Sequence, residues 1–198
     1  FRRVLFRSMS LFWFVGIQGP SIVEPAVSAI YYVNIANNLE LFQAGKHAAN
    51  ILTPGCQQFV ATLGGTGATL VVTLMFAFMA KSKELKAVGK ASSIPVLFGV
   101  NEPILFGAPL ILNPIFFIPF ILTSTLNCFI AYLCTSLGII GKSFAMLSWN
   151  MPSVFGAFLS TMDIKAFILV IILIIIDLVM YYPFFKVYEK QLVAQESE

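Results

Sequence analysis

Apolar residues in this chain run in blocks longer than the stripe of a helix that buries one face, broken at a few places by proline, glycine, asparagine and acid. The first block starts at Met9, is interrupted by Gln18-Gly19-Pro20-Ser21 and by Glu24-Pro25, and resumes to Asn34. At roughly 20 residues per crossing, the whole is long enough to span a bilayer. Residues 37–54 are polar and turn-rich and predict a loop, and residues 59–80 predict a full span. Residues 81–90 carry four lysines against one glutamate, which predicts a cytoplasmic loop under the positive-inside rule. Residues 94–112 hold Pro95, Pro103 and Pro109 and read as broken helix. Residues 115–140 predict a crossing. Residues 142–160 are broken again around Ser148-Trp149-Asn150-Met151-Pro152, and residues 166–185 form the cleanest span before a polar tail.

These elements can be counted. If residues 81–90 and the Lys186-Val187-Tyr188-Glu189-Lys190 end are both cytoplasmic, an even number of crossings lies between them. The spans 115–140 and 166–185 satisfy this only if the broken segments around Glu102 and Trp149 turn back without crossing, as re-entrant hairpins do. The expected fold class is an all-α integral membrane protein, a polytopic helical transport domain with re-entrant hairpins.

Composition agrees and narrows the field. The chain has 198 residues, 59% hydrophobic and 11% charged, a balance of membrane proteins embedded in a lipid bilayer. The formal net charge of +3 is small and the lysines stand beside apolar runs, so no nucleic-acid partner is expected. Cys56, Cys128 and Cys134 lack CxxC spacing and read as small hydrophobes. The single histidine, His47, has no cysteine, aspartate or second histidine beside it, so neither a metal site nor a cofactor is expected. Gly64-Gly65-Thr66-Gly67 is followed by Leu70-Val71-Val72 and not by a phosphate-binding lysine, and reads as small residues that let helices approach.

The densest chemistry lies in Gly99-Val100-Asn101-Glu102-Pro103-Ile104-Leu105-Phe106-Gly107 and the following Asn113-Pro114. An ionised side chain at bilayer depth costs about 2.5–3.5 kcal/mol even on the lenient insertion scale, so Glu102 needs a reason to be there. Broken backbone survives at that depth only where protein buries it or a polar cavity receives it. Glu102 and the backbone around it are expected to line a substrate site. Gln18 reads either as a hydrogen bond between packed helices or as a ligand partner, and Glu24 as a second cavity carboxylate or a helix end. Asp177 is the other intramembrane acid, with Tyr181 placed four residues on to hydrogen-bond it. A proton or ion relay at Asp177 would make the chain an ion-coupled secondary transporter, the alternative reading.

The Glu102 motif with Asn113-Pro114, together with Phe12-Trp13 leading into Gly16-Ile17-Gln18-Gly19-Pro20-Ser21 and Leu52-Thr53-Pro54-Gly55 leading into the glycine cluster, resembles the enzyme IIC sugar permeases of the phosphoenolpyruvate-dependent phosphotransferase system, lactose/cellobiose/chitobiose group. The resemblance covers nearly everything after Ser8. It implies a homodimeric permease of the bacterial plasma membrane, multi-pass, whose C-terminal half holds a disaccharide. Residues 1–8 are then expected to be a ragged start foreign to the native protein, residues 9–185 the transport half, and residues 186–198 a cytoplasmic tail. It further implies that Glu102 sits beside the sugar's 6-hydroxyl, where a phosphocysteine on an enzyme IIB domain delivers the phosphoryl group; no phosphoryl-carrying residue is evident in this chain. Asn101 and Gln18 would supply further hydrogen bonds, and Trp149 would stack on a sugar face. Where cellobiose- and chitobiose-like members typically carry histidine this chain has Gln18, which tilts the expectation toward lactose or a related galactoside.

Overall fold

The computed structural model describes residues 2–196, with side chains from Arg7 onward. The expected ragged start and the end of the expected tail therefore lie partly outside the described residues. All regular structure among those described is helical: α1 (Arg2–Phe14), α2 (Gly19–Gln43), a π-helical turn (Cys56–Ala61), α3 (Leu70–Met79), α4 (Lys83–Leu97), α5 (Glu102–Gly107), α6 (Phe117–Ser136), α7 (Ser153–Thr161) and α8 (Ile164–Gln195). Of these, α6 with 20 residues and α8 with 32 are long and apolar enough to cross a membrane.

α8 packs against α3, α6, α7 and the π-helical turn. α3 runs parallel to it, with Phe76 against Phe185 at 5.8 Å and Tyr188 at 6.4 Å between ring centroids, and at the top the Lys81 N–H donates to Glu189 Oε1 at 2.6 Å. α6 runs antiparallel to α8: Asn127 Nδ2 donates to Asp177 Oδ2 at 3.1 Å, while Thr135 at the end of α6 and Ala166 at the start of α8 line one small cavity. α4 returns along α3, and its Gly89 lies directly on the Phe76–Ala77 backbone, so any side chain there would collide with it. Between apolar helices such close contact is the main source of packing energy, because lipid tails are as apolar as the side chains themselves.

Five expectations are corrected. Residues 59–80 do not form one span, because Gly64, Gly65, Gly67 and Ala68 all take positive φ, so the helix is replaced by a loop between the π-helical turn and α3. The predicted 37–54 loop begins later, since α2 continues to Gln43. The lysine-rich 81–90 stretch is helical, started by Ser82, whose Oγ accepts from the Leu85 N–H at 3.2 Å. Tyr181 does not bond Asp177; its hydroxyl donates to the Gly67 carbonyl oxygen at 2.5 Å. Pro25 lies inside α2 and does not end it.

Candidate functional site

α4 and α5 form a helical hairpin. Pro95 near the end of α4 and Gly99, at φ +84°, bring the helix to a stop, and the chain restarts at α5 with Pro103 in its first turn, where a missing N–H costs nothing. The short return arm comes back beside α4, where Gly107 packs on Val88. Asn101 and Glu102 therefore sit at the hairpin's tip.

The tip is fastened to the glycine loop. Asn101 is buried, and its Nδ2 donates to the Thr66 carbonyl oxygen at 2.9 Å and to Thr69 Oγ1 at 3.2 Å. Thr69 Oγ1 in turn donates to the Gly64 carbonyl oxygen at 2.8 Å. With its amide spent on the loop, Asn101 holds the tip in place, and a direct ligand contact would fall to its Oδ1. Glu102, the next residue, is half-buried, and its side chain makes no hydrogen bond among the described residues. It is a free acceptor beside a fixed neighbour.

A second hairpin approaches from the other direction. The Phe144 and Ala145 N–H groups donate to the Ser160 carbonyl oxygen at 3.0 and 3.2 Å, so the segment before the tip runs back along α7. Its base is held by Asp163, which accepts from the Gly141 N–H at 2.8 Å and caps α8 through the Lys165 N–H at 2.9 Å. Trp149 is at the tip and is 57% exposed. The two tips meet: a Cβ on Gly99 would lie 3.5 Å from the Trp149 carbonyl oxygen. The structure thus brings Asn101, Glu102 and Trp149 into one neighbourhood.

Gln18 stands apart in bonding. It is the exposed residue before α2, and its Oε1 accepts from Ser21 Oγ in the first turn of the same helix, which leaves its Nε2 free to donate. No hydrogen bond among the described residues links it to Asn101 or Glu102. The end of α1 does reach the first hairpin, through Trp13 against Phe106 at 6.3 Å and the Leu112 N–H donating to the Phe14 carbonyl oxygen at 3.0 Å. Glu24 lies within α2 and accepts from Gln57 Nε2 at 2.5 Å. Gln57, Thr66 and Thr69 were not singled out from sequence. Three glycines within four residues were the available signal that residues 64–69 are loop, not helix.

A cavity of about 470 Å³ lies elsewhere, lined by Phe42, Lys46, His47, Lys142, Phe144 and Thr161, and none of the four expected site residues touches it. Phe42 and Phe144 stack there with ring centroids 3.7 Å apart. Among the described residues, no cluster of three or more histidine, cysteine or acidic side chains could hold a metal ion.

An all-helical chain with two apolar helices of spanning length and two hairpin tips meeting over a pinned polar motif has the build of a helical transporter. Residues 4–124 match the family model described as phosphotransferase system, EIIC, and the chain belongs to that family. It is 52% identical over 197 residues to the PTS system lactose-specific EIICB component of Streptococcus mutans, covering 98% of this chain and 34% of that protein. The component of the same name from Staphylococcus haemolyticus is 52% identical over 194 residues, covering 98% of this chain and 33% of that protein. The chain therefore spans about a third of the length of these curated relatives. Among solved structures, it superposes with a TM-score of 0.96 and 30% identity on the crystal structure of the transporter ChbC, the IIC component from the N,N'-diacetylchitobiose-specific phosphotransferase system, over 99% of this chain and 46% of that one.

Proposed function

We propose that this chain is the sugar-binding part of a multi-pass permease of the bacterial plasma membrane that takes lactose or a related β-galactoside, with cellobiose and chitobiose next in preference. The observation that carries the reading is the meeting of the two hairpin tips, with Asn101 and Glu102 on one and Trp149 on the other. The names of the lactose-specific relatives support the galactoside, as does Gln18. Residues 9–185 form the transport half and residues 186–198 a cytoplasmic tail, and the full-length protein is a homodimer.

The hairpins are re-entrant in this reading. Both arms of the α4–α5 hairpin start from the end of the fold that carries Lys81 and Glu189, and both arms of the second from the end that carries Asp163. At about 1.5 Å per residue, α8 reaches about 48 Å against a hydrocarbon core of roughly 30 Å, so its Glu189 end stands beyond the lipid. The lysines at the start of α4 support a cytoplasmic location for that end. The tips then meet near midplane, where a neutral sugar needs hydrogen-bond partners in place of water.

Glu102 orients or deprotonates the 6-hydroxyl, Asn101 and Gln18 bind other hydroxyls, and Trp149 covers an apolar face of the ring. An EIIB phosphocysteine supplies the phosphoryl group: the sugar oxygen bonds to phosphorus, the phosphorus–sulfur bond breaks, and the cysteine leaves as thiolate while Glu102 takes the hydroxyl proton. The role of Glu102 is positional and electrostatic, as suits phosphoryl transfer.

The test uses full-length protein in vesicles with the other phosphotransferase components and labelled lactose and cellobiose. Lactose phosphate formed only with phosphoenolpyruvate is expected. Cellobiose phosphate in its place would remove the galactoside assignment, and free sugar accumulated on an ion gradient would overturn the class.

A further inference from the structure

The motif that carries Asn101 and Glu102 is held by more than its own hairpin. The peptide unit between Thr66 and Gly67 offers its carbonyl oxygen to Asn101 Nδ2 at 2.9 Å and, on the opposite edge, its N–H to Ser124 Oγ of α6 at 3.0 Å. A trans peptide is planar with these two groups pointing in opposite directions, so Ser124, the peptide and Asn101 form one chain of hydrogen bonds. In a low-dielectric interior each bond in such a chain polarises the next. The following carbonyl, that of Gly67, accepts from the Tyr181 hydroxyl of α8 at 2.5 Å. Ser124 and Tyr181 are both fully buried.

The two pins arrive in register because a second rung ties their helices. Asn127, three residues after Ser124 on α6, donates to Asp177, four residues before Tyr181 on α8, at 3.1 Å. One helical turn separates the rungs on each antiparallel helix. A slip of α8 against α6 would break both rungs together.

Resting on the sugar-site reading above, we infer that Ser124 and Tyr181 are positioning residues of that site: through the Thr66–Gly67 backbone they fix the Asn101 amide, and with it the placement of Glu102 against the bound sugar. Neither residue touches the sugar. Gly67 is required at the junction because it takes φ +89° and its Cα faces the Phe120 ring, which leaves no room for a side chain.

The experiment compares full-length wild type with Tyr181→Phe, Ser124→Ala and Ser124→Thr, the last retaining a hydroxyl. Three readouts are taken: the KM and kcat of phosphoenolpyruvate-dependent lactose phosphorylation, the melting temperature in detergent, and amide hydrogen exchange across residues 65–69 and 99–102. Losing one pin leaves a buried backbone group unpaired, and a KM increase of about tenfold is expected for Tyr181→Phe and Ser124→Ala. Accompanying faster exchange in both segments, an unchanged melting temperature within a few degrees, and recovery in Ser124→Thr are expected as well. Wild-type KM and exchange in Tyr181→Phe and Ser124→Ala would overturn the inference, as would equal impairment of Ser124→Thr. If wild type phosphorylates no disaccharide, the sugar reading fails, and exchange alone decides the positioning: coupled acceleration at 65–69 and 99–102 supports it, and acceleration at 65–69 only overturns it.

Discussion

Gly65 faces the Asn101 side chain so closely that a Cβ on it would lie 2.5 Å from Asn101 Cγ. Gly65 also sits at φ +104°, a conformation an L side chain resists. Gly65→Ala is therefore expected to displace the Asn101 amide from Thr66 and Thr69 and to strain the loop, at a cost of about 1–3 kcal/mol. Lower melting temperature in detergent together with a raised KM for sugar checks this. An unchanged KM would mean that the tip does not depend on the glycine loop.

Glu102 is the acid whose neighbour is fixed while its own carboxylate remains unbonded. Positioned acid–base groups contribute about 10²–10⁴-fold, so Glu102→Gln is expected to lower the phosphorylation rate by about a hundredfold or more. Glutamine keeps the size and one acceptor, so protein level and melting temperature should hold. Uptake near normal at full expression would count against the entire site.

The hairpin tips were legible in sequence because proline and asparagine punctuate an apolar run. Asn101-Glu102-Pro103 and Trp149-Asn150-Met151-Pro152 mark two breaks, and those breaks are where the structure turns. The 64–69 loop left only its three glycines as a signal: its residues are otherwise small and apolar enough to pass for a span, and the backbone shows that those glycines and Ala68 leave the helix. The pairing of Tyr181 failed for a related reason. Spacing of four on one helix favours Asp177, but a buried hydroxyl takes whichever acceptor lies before it, and the loop carbonyl of Gly67 does. Interactions across 114 residues of chain leave no periodic trace.

Where α4 begins, Glu196 accepts from Ser82 Oγ at 2.6 Å and from the Lys83 and Glu84 N–H groups at 3.2 Å each. The Ser82 hydroxyl foremost, with the backbone N–H groups, holds its carboxyl below the ordinary value of 4.5. A depressed folded value means that the attachment is fully present above the ordinary value and is lost as pH falls through the lower, folded one. Amide exchange at Lys83 and Glu84, corrected for its intrinsic pH dependence, is expected to stay protected above the ordinary value of 4.5 and to accelerate only as pH falls below it, through the depressed folded value. Glu196→Gln should shift this loss of protection to neutral pH. Equal protection in the variant at all pH values would show that α4 is held by other contacts.

Asp177 decides between the two classes of transporter. Its Oδ2 accepts from Asn127 Nδ2, and it shares a helix face with Tyr181. Asparagine at 177 keeps an acceptor for Asn127 but can neither carry a proton nor counter a cation. For a permease driven by phosphoenolpyruvate, Asp177→Asn should therefore leave lactose phosphorylation within about threefold of wild type, whereas Asp177→Leu, which leaves the Asn127 amide unpaired, should lower it further. Complete loss in Asp177→Asn with normal folding would favour ion coupling.

Gln18 is oriented by Ser21, whose hydroxyl donates to Gln18 Oε1 and leaves the Nε2 donors free. A sugar hydroxyl approaching this position therefore meets a donor held by its own helix. Histidine presents a single N–H on a shorter, planar side chain, so the hydroxyl it serves best is displaced and differently oriented. Since sites built to hydrogen-bond a particular hydroxyl discriminate sharply against misplacement, Gln18→His is expected to reduce lactose phosphorylation by about tenfold or more while affecting cellobiose less or improving it. Ser21→Ala, which frees Gln18 to rotate, should raise the lactose KM by a smaller factor. Competition between the two labelled sugars in one vesicle preparation measures the ratio directly. An unchanged ratio in Gln18→His would remove Gln18 from the site and leave the galactoside preference to residues of the hairpin tips.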